Sequence, residues 1–423
     1  ISPVRALCRE IADSLQDAAD HFDQGWTVEV RTGDTDTKTR QRQKKSPPQI
    51  LVTTPESLHL VLASKGYEQF FKGMIALVAD EWHELMGSKR GVLLELGLSR
   101  LRTICPKLRV WAISATIGNL DTAMDVLLGP KTEYTLVRSD VPKPLEIITL
   151  YPDETERLPW AGHLGIRLLE QVLEVIRKSR TTIIFTNTRS QSEIWYQKLL
   201  DADPDLSGVL AMHHGSLSRE LREWVEDALD EGSIKAVVST SSLDLGVDFR
   251  PVESVVQIGS PKGVARFLQR AGRSGHRPGA TSRIHFLPTN ALELIESAAL
   301  REAVKQGVAE DRQPFIRSFD VLLQYLTTLA VSDGFRPEQV YEEIRQTHCF
   351  ATITDDEWDW CLKFLVNGGD ALRAYDDFRK VEVYDGLYQV KSRRVAMRHR
   401  MSIGAIIRDA AMHIKFKSGK RLG

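Results

Sequence analysis

The sequence predicts an α/β protein: two successive domains built on parallel sheets, followed by a smaller α+β module. Three observations predict it. Short apolar runs ending in polar or turn clusters alternate with amphipathic stretches along the first part of the chain. The series is interrupted by a stretch over 139–159 that carries Pro142, Pro144, Pro152 and Pro159, and then starts again. Beyond about residue 305 the runs give way to helix-start signals and one hairpin signature.

The elements follow in order. Residues 50–52 (ILV), 75–79 (IALVA) and 110–113 (VWAI) are apolar runs that end at Thr53-Thr54-Pro55, Asp80-Glu81 and Ser114-Ala115-Thr116. Buried parallel strands have this composition, and the residues just past their carboxyl ends are where open α/β sheets place their sites. Residues 181–185, 209–212, 236–239 and 255–258 give a second strand series. No fixed-period repeat relates the two. Residues 319–330 read as a helix, Pro337 opens another, and Asp355-Asp356-Glu357 puts acids at the start of a third. Val381-Glu382-Val383 turns at Asp385-Gly386 into 387–390, so three helices and a hairpin suggest a winged-helix module. The basic run 37–45 (TKTRQRQKK) reads as a solvated loop.

A length of 423 residues suggests about three domains. The net charge of −1 gives no bulk pull toward nucleic acid, so any such binding must use local patches. Cys8, Cys105, Cys349 and Cys361 form no C-x-x-C pair, which disfavours a zinc ribbon or a four-cysteine cluster. They read as buried thiols of a reducing compartment, and a cytoplasmic location without membrane attachment is the expectation.

The polar motifs carry the chemistry. Asp80-Glu81-Trp82-His83, then Ser114-Ala115-Thr116, then 239–248 (STSSLDLGVD), then Gln269-Arg270-Ala271-Gly272-Arg273 are the acid, coupling and arginine parts of a machine that splits a nucleoside triphosphate. Hydrolysis of a γ-phosphate needs charge neutralisation and a base that orients water. The phosphate-cradling loop G-x-x-x-x-G-K-[ST] is absent, since Gly419-Lys420 lacks both the earlier glycine and the following hydroxyl.

Taken together, the motifs resemble superfamily 2 helicases of the DEAD/DEAH class. The resemblance is closest to the large helicase-related (Lhr) family, in its branch associated with ligase-type DNA damage response. The matching strings are 2–7, 32–35, 53–58, 80–83, 114–119, 185–189, 213–216, 239–248, 269–275 and 398–402. The resemblance implies two RecA-like parallel-sheet domains and a winged helix. Residues 1–138 form a first RecA-like domain lacking its N-terminal part, 139–159 a linker, 160–305 a second RecA-like domain and 306–400 the winged helix. Residues 401–423 begin a further domain. In this family the phosphate loop lies upstream of Ser2-Pro3, so the chain is expected to be an internal stretch of a longer protein that binds and turns over ATP poorly by itself.

The resemblance also implies roles. Asp80 holds Mg²⁺ through water, Glu81 aligns and deprotonates the attacking water, and His83 couples this site to its neighbours. Ser114 and Thr116 link the nucleotide state to strand movement. Gly246 and Asp248 line the nucleotide-facing end of the same cleft, as does Gln269. Arg273 is the arginine finger, aimed at the γ-phosphate only when the cleft closes. His276 stands where many relatives have a second arginine. Arg270 is a packing or a nucleic-acid contact.

A nucleic-acid track is expected across both domains, since small hydroxyls and backbone amides suit sequence-neutral phosphate contact. Its candidates are Pro3, Arg5, Gly33, Thr35, Thr53, Thr54 and Pro55 in the first domain, and Thr186, Asn187, Arg189, Gly215, Ser216 and Thr240 in the second. The acids on the third helix of the module argue against major-groove reading there. The basic cluster Lys391, Arg393, Arg394, Arg398, Arg400 suits either nucleic acid or solvent. The expectation is therefore an ATP- and Mg²⁺-dependent helicase or translocase on single-stranded or forked DNA, or on an RNA–DNA hybrid. By resemblance it moves 3′→5′, serves DNA repair and works with a nuclease or ligase. An RNA helicase and a non-catalytic clamp are the alternatives.

Overall fold

The computed structural model describes residues 1–23, 25–115, 117–130, 132–138, 144–151, 165–245, 251–275, 281–368 and 381–404. Thr116, Gly246, Asp248, His276, most of the expected linker and nearly all of 401–423 lie outside the described residues.

The first domain contains helices α1 (Arg5–His21), α2 (Thr37–Lys45), α3 (Pro55–Leu62), α4 (Tyr67–Phe71), α5 (Trp82–Leu85), α6 (Lys89–Ile104) and α7 (Leu120–Leu128). Strands β1 (Val28–Arg31) and β2 (Ile50–Thr53) pair in parallel, as do β3 (Ala76–Ala79) and β4 (Arg109–Ala112). Residues 1 and 2 stitch the two pairs together. The Ser2 N–H donates to the Thr53 carbonyl at 2.9 Å, and the Asp80 N–H donates to the Ile1 carbonyl at 2.8 Å. The carboxyl ends of β2 and β3 therefore lie side by side, with Pro3 leaving between them.

Two expectations fail in this domain. The basic run 37–45 is helix α2, not a loop. Asp36 caps it by accepting from the Thr39 N–H at 2.9 Å, and three basic residues fall in its last turn, where the helix dipole favours them. Gln43 is buried on its inner face, donating to Glu29 at 2.9 Å and to the Val30 carbonyl at 3.1 Å. Strand β4 and the residue after it are also less covered than a buried parallel strand, since Trp111 is 62% and Ile113 56% exposed.

The second domain contains α8 (Leu169–Lys178), α9 (Arg189–Ala202), α10 (Arg219–Glu231), α11 (Val264–Gly272) and α12 (Ala291–Gln306) around strands β5 (Leu145–Thr149), β6 (Thr181–Phe185), β7 (Leu210–His213), β8 (Ala236–Ser239), β9 (Val252–Ile258) and β10 (Ser282–Leu287). The strands form one parallel sheet in the order β5-β10-β9-β6-β8-β7. Alternate side chains serve opposite faces. Ile183, Phe185, Val237, Val255 and Phe286 pack toward α10 and α11, whereas Ile184, Val238, Val256 and Ile258 pack toward α8 and α9. Strand β5 falls within the expected linker, so the sheet reaches into that proline-bearing stretch. Its runs LEIIT and, in β10, SRIHFL pair with each other in register from Leu145 opposite Ser282.

The third part contains α13 (Phe319–Val331), α14 (Pro337–Ile344), α15 (Asp355–Asn367), strands β11 (Glu382–Tyr384) and β12 (Leu387–Gln389), and α16 (Arg393–Met401). Thr354 and Glu357 close a capping box on α15. The hairpin turns at Asp385 and Gly386, both left-handed (φ 49° and 72°), as a two-residue turn of this hand requires. This part does not stand alone. Leu322, Leu326, Phe350 and Trp358 share one continuous core with Leu58, Trp82, Leu94 and Leu98 of the first domain. Helix α6 is the seam: Ser99 Oγ donates to the Glu343 carbonyl at 2.5 Å, and Arg100 pairs with the Glu343 carboxylate at 2.6 Å. Arg400 reaches back to the Ala63 carbonyl at 2.8 Å, so one member of the basic cluster is a tie between these parts.

Glu95, also on α6, is 4% exposed and accepts the Cys349 N–H at 3.0 Å. Burial pushes its carboxyl up to about 8, against the backbone N–H bonds that favour the anion. An acid whose pKa is raised in the folded state stabilises the fold fully below its unfolded pKa and loses that contribution as pH rises through the folded one. Glu95→Gln keeps an acceptor and removes the ionisation. It is expected to match the parent's melting temperature at pH 5 and to exceed it by roughly 2–4 °C at pH 8.5. Thermal melts across that range check this, and a constant difference at every pH would contradict it.

Candidate functional site

The acid box follows β3. Asp80 leaves the strand end, and Glu81 takes a left-handed conformation (φ 46°, ψ 46°) that swings the chain into α5. That conformation is costly for a residue with a Cβ and must be held by its surroundings. Trp82 holds it: the side chain is 1% exposed, its Nε1–H donates to the Ala123 carbonyl at 2.9 Å, and its backbone N–H donates to the Ile113 carbonyl at 3.0 Å. Burial raises the Asp80 carboxyl above its ordinary range, against the Glu81 N–H, which favours the anion.

His83 is 2% exposed on its side chain and sits at the centre of the site. The Ala115 N–H and the Ser114 hydroxyl both lie 3.3 Å from Nδ1, and Glu81 Oε2 is 3.3 Å from the same atom. Burial lowers the imidazole's pKa; the nearby Glu84 carboxylate opposes this and the Arg312 charge adds to it, so the ring is neutral at physiological pH. Nδ1 thus faces both a donor, the Ala115 N–H, and an acceptor, the Glu81 carboxylate.

Nε2 meets the second domain. It lies 2.5 Å from the Gln269 amide nitrogen on α11, a contact between the two domains. Arg273 follows Gln269 by four residues and stands at the end of the same helix, so the two share one face. The domains also touch through Arg9 and Glu223. The structure thus brings the acid box and Ser114 together around His83 and joins them to Gln269 of the second domain, with Arg273 one turn further along α11.

Arg270 is placed elsewhere. It is 1% exposed, pairs with Asp244 at 2.7 and 3.2 Å, donates to Gln257 at 2.6 Å and lies over the Phe185 ring at 4.6 Å. Of the two roles left open for it, packing is the one it performs here. Asp244 and Gln257, which orient it, were not singled out in the sequence. Asp244 falls inside the 239–248 string, four residues before Asp248, whereas Gln257 reads only as a polar interruption of an apolar strand.

Apart from Pro3 and Arg5, which lead into α1, the candidate strand-contacting residues lie just past the carboxyl ends of β1, β2, β6, β7 and β8. Their side chains divide into two groups. The hydroxyls of Thr53, Thr54 and Thr186 are turned inward. Thr53 donates to the Arg31 carbonyl at 2.6 Å, Thr54 caps α3, and Thr186 bonds Ser192 at 2.7 Å, all three residues being buried. Expected as phosphate contacts, these hydroxyls instead brace the loops, because each strand end needs its backbone groups paired. Pro3 and Pro55 are buried, and the Thr35 hydroxyl donates to the Val30 carbonyl at 3.3 Å. Asn187 donates to the Ser260 carbonyl at 2.7 Å.

Arg5, Gly33, Arg189, Gly215 and Ser216 are exposed, and Thr240 is half-buried. Arg5 pairs with Asp34 at 2.8 Å and passes so close to Gly33 that a Cβ there would lie 2.7 Å from its guanidinium. His213 was overlooked as an anchor: buried, it bridges Ser242 at 2.7 Å and Glu226 at 3.1 Å, fixing the turn that presents Gly215 and Ser216.

Comparison with known proteins places this geometry. Residues 1–123 match the DEAD/DEAH box helicase family, 166–278 the helicase conserved C-terminal domain, and 302–423 the winged helix domain of large helicase-related proteins. The chain is 32% identical over 436 aligned residues to the ATP-dependent helicase Lhr-Core of Methanocaldococcus jannaschii, covering 100% of this chain and 50% of the relative. It is 31% identical to the Lhr helicase/uracil glycosylase of Escherichia coli K12, covering 86% of this chain and 27% of the relative. The Mycobacterium smegmatis helicase Lhr, solved with ssDNA and AMP-PNP, superposes with a TM-score of 0.81 at 27% identity, over 99% of this chain and 55% of that one. The chain spans about half or less of the length of these relatives. With two RecA-like domains and the winged helix in that order, the chain belongs to the large helicase-related (Lhr) family of superfamily 2 DEAD/DEAH-box helicases.

Proposed function

We propose that this chain is the motor core of an ATP-dependent helicase or translocase that tracks on single-stranded DNA. The observation that carries the reading is the His83–Gln269 contact, which ties the acid box of one lobe to the arginine-bearing helix of the other. Glu81 orients and deprotonates the attacking water. Arg273, one turn beyond Gln269, reaches the γ-phosphate from the opposite wall and meets developing charge only when the lobes are together. Glu81 and Ser114 both lie against Nδ1 of His83, and Gln269 against Nε2. The ring therefore relays lobe position to the acid box.

Asp80 is the residue that would hold Mg²⁺. A half-buried carboxylate at a strand end suits an ion that takes one or two carboxylates and fills the rest of its shell with water and phosphate oxygens. When bound, the ion neutralises charge on the β- and γ-phosphates. The exposed Arg5, Arg189 and Ser216, with the backbone at Gly33 and Gly215, are the phosphate-facing part of the strand track. DNA is preferred as substrate because the relative with a TM-score of 0.81 was solved with ssDNA. Movement 3′→5′, a role in repair and a nuclease or ligase partner extend the same reading.

Three outcomes test it in the native full-length protein. Glu81→Gln is expected to lower strand-stimulated ATP turnover by about 10²–10⁴-fold while leaving strand affinity within about twofold. Turnover equal to the parent's would remove Glu81 from the role of base. Arg273→Ala is expected to lower turnover by about 10³-fold with only modest loss of nucleotide affinity, and loss of nucleotide binding itself would make Arg273 a ground-state ligand. ATPase measured with DNA and RNA strands of matched sequence is expected to favour DNA, and stronger stimulation by RNA would favour the RNA helicase alternative.

A further inference from the structure

Between α12 and α13 the chain runs without regular secondary structure over residues 308–318. Part of this segment, residues 309–313, passes between the two lobes and bonds to both. On the second-domain side, the Glu310 carboxylate accepts the Val264 N–H and, at 3.0 Å, the Ala265 N–H. These are first-turn amides of α11, the helix that carries Gln269. Helix α11 has no side-chain cap of its own, because its N-cap residue is Gly263 (φ 136°). A Cβ at that glycine would lie 3.0 Å from Glu310 Oε1. The carboxylate therefore supplies from 46 residues away what an N-cap side chain would supply locally, and its charge suits the helix dipole.

On the first-domain side the same strap is bound to the turn that follows Ser114-Ala115. The Gly118 N–H donates to the Glu310 carbonyl at 3.2 Å. Asn119 and Arg312 exchange a reciprocal pair: Asn119 Nδ2 donates to the Arg312 carbonyl and the Arg312 N–H donates to Asn119 Oδ1, each at 2.8 Å. The Arg312 guanidinium lies 3.8 Å from Glu84, the neighbour of His83. The fit is close. A Cβ at Gly118 would stand 2.5 Å from the Ala309 carbonyl oxygen, and one at Gly87 2.8 Å from that of Gln313. Real Cβ atoms do not approach so near, so both glycines make room for the strap.

We propose that the 309–313 strap sets the register of α11 against the acid box, with Glu310 as a positioning residue for Gln269 and Arg273. It fixes where α11 begins relative to Gly118 and Asn119, and so where Gln269 and Arg273 arrive relative to His83 and Glu81. The catalytic meaning of that register rests on the nucleotide-cleft reading above, but the register itself is measurable without nucleotide.

The four native cysteines are all buried, so surface dyes can be placed at Asp17→Cys on α1 and Gln197→Cys on α9. Single-molecule energy transfer between them reads the lobe–lobe distance. The parent is expected to give one narrow distribution. Glu310→Ala is expected to open a second, low-transfer population, with amide exchange at Val264 and Ala265 roughly tenfold faster and the melting temperature within about 2 °C. Glu310→Gln, which keeps an acceptor without the charge, should restore the distribution in part. Asn119→Ala, cutting the strap at its other anchor, should broaden it without speeding exchange in α11. If Glu310→Ala speeds exchange but leaves the transfer distribution unchanged, Glu310 is a local cap and the proposal fails. It fails equally if neither anchor variant moves the distribution. Absence of ATP turnover in the native full-length protein would instead strike the function proposed above, leaving the distance measurement to judge the strap.

Discussion

One buried imidazole sits where the two lobes of this protein meet. Nδ1 of His83 faces the Ala115 N–H, the Ser114 hydroxyl and the Glu81 carboxylate of its own lobe. Nε2 faces the Gln269 amide nitrogen of the opposite lobe at 2.5 Å. A charged ring would break this arrangement, because Nδ1 would then carry a proton facing another proton. Burial prevents that by keeping the ring neutral. The neutral ring is thus one of the contacts, beside the 309–313 strap, that hold α11 against the acid box.

The surroundings of His83 are built to hold it still. Trp82 anchors the strained Glu81 turn from beneath, and its hydrogen bonds reach both the β4 end and α7. In the second lobe, the buried Arg270–Asp244 pair fixes α11 against the sheet, with Phe185 and Gln257 completing the shell. A buried ion pair contributes little net stability once desolvation is counted, but breaking one side leaves an unpaired charge and is costly. Its value here is geometric: it allows α11 one seat on the sheet.

Much of this was legible in the chain because the signals are local. The runs TTIIF and AVVS are strands with the expected bounds, since continuous burial leaves no polar interruption to blur them. Asp385-Gly386 marked the hairpin because only a left-handed turn fits that spacing. The acid box and the arginine helix were recognisable as motifs, and the crevice joining them depends on chain folding that no local pattern encodes. Strand β5 was hidden by the prolines around it, and β1 by its alternation of charged and apolar residues (VEVR). Helix α2 was hidden because it is almost wholly polar and buries only Gln43. The inward threonines at 53, 54 and 186 illustrate a different limit. A hydroxyl at a strand end can serve the backbone or a ligand equally well, and only the folded chain decides which partner is nearer. Gly118 and Gly87 show the same limit in steric form, since the strap that requires them arrives from roughly 200 residues downstream.

The shared core under α6 has a mechanical consequence. With Leu94, Leu98, Leu322, Phe350 and Trp358 in one apolar cluster, the hairpin-bearing module cannot pivot independently on the first lobe without opening that cluster to water. Among the described residues the module and the first lobe therefore form one body. Any stroke of one lobe against the other swings α15 and the hairpin along as a rigid outrigger, so a small rotation at the cleft becomes a larger displacement at its tip.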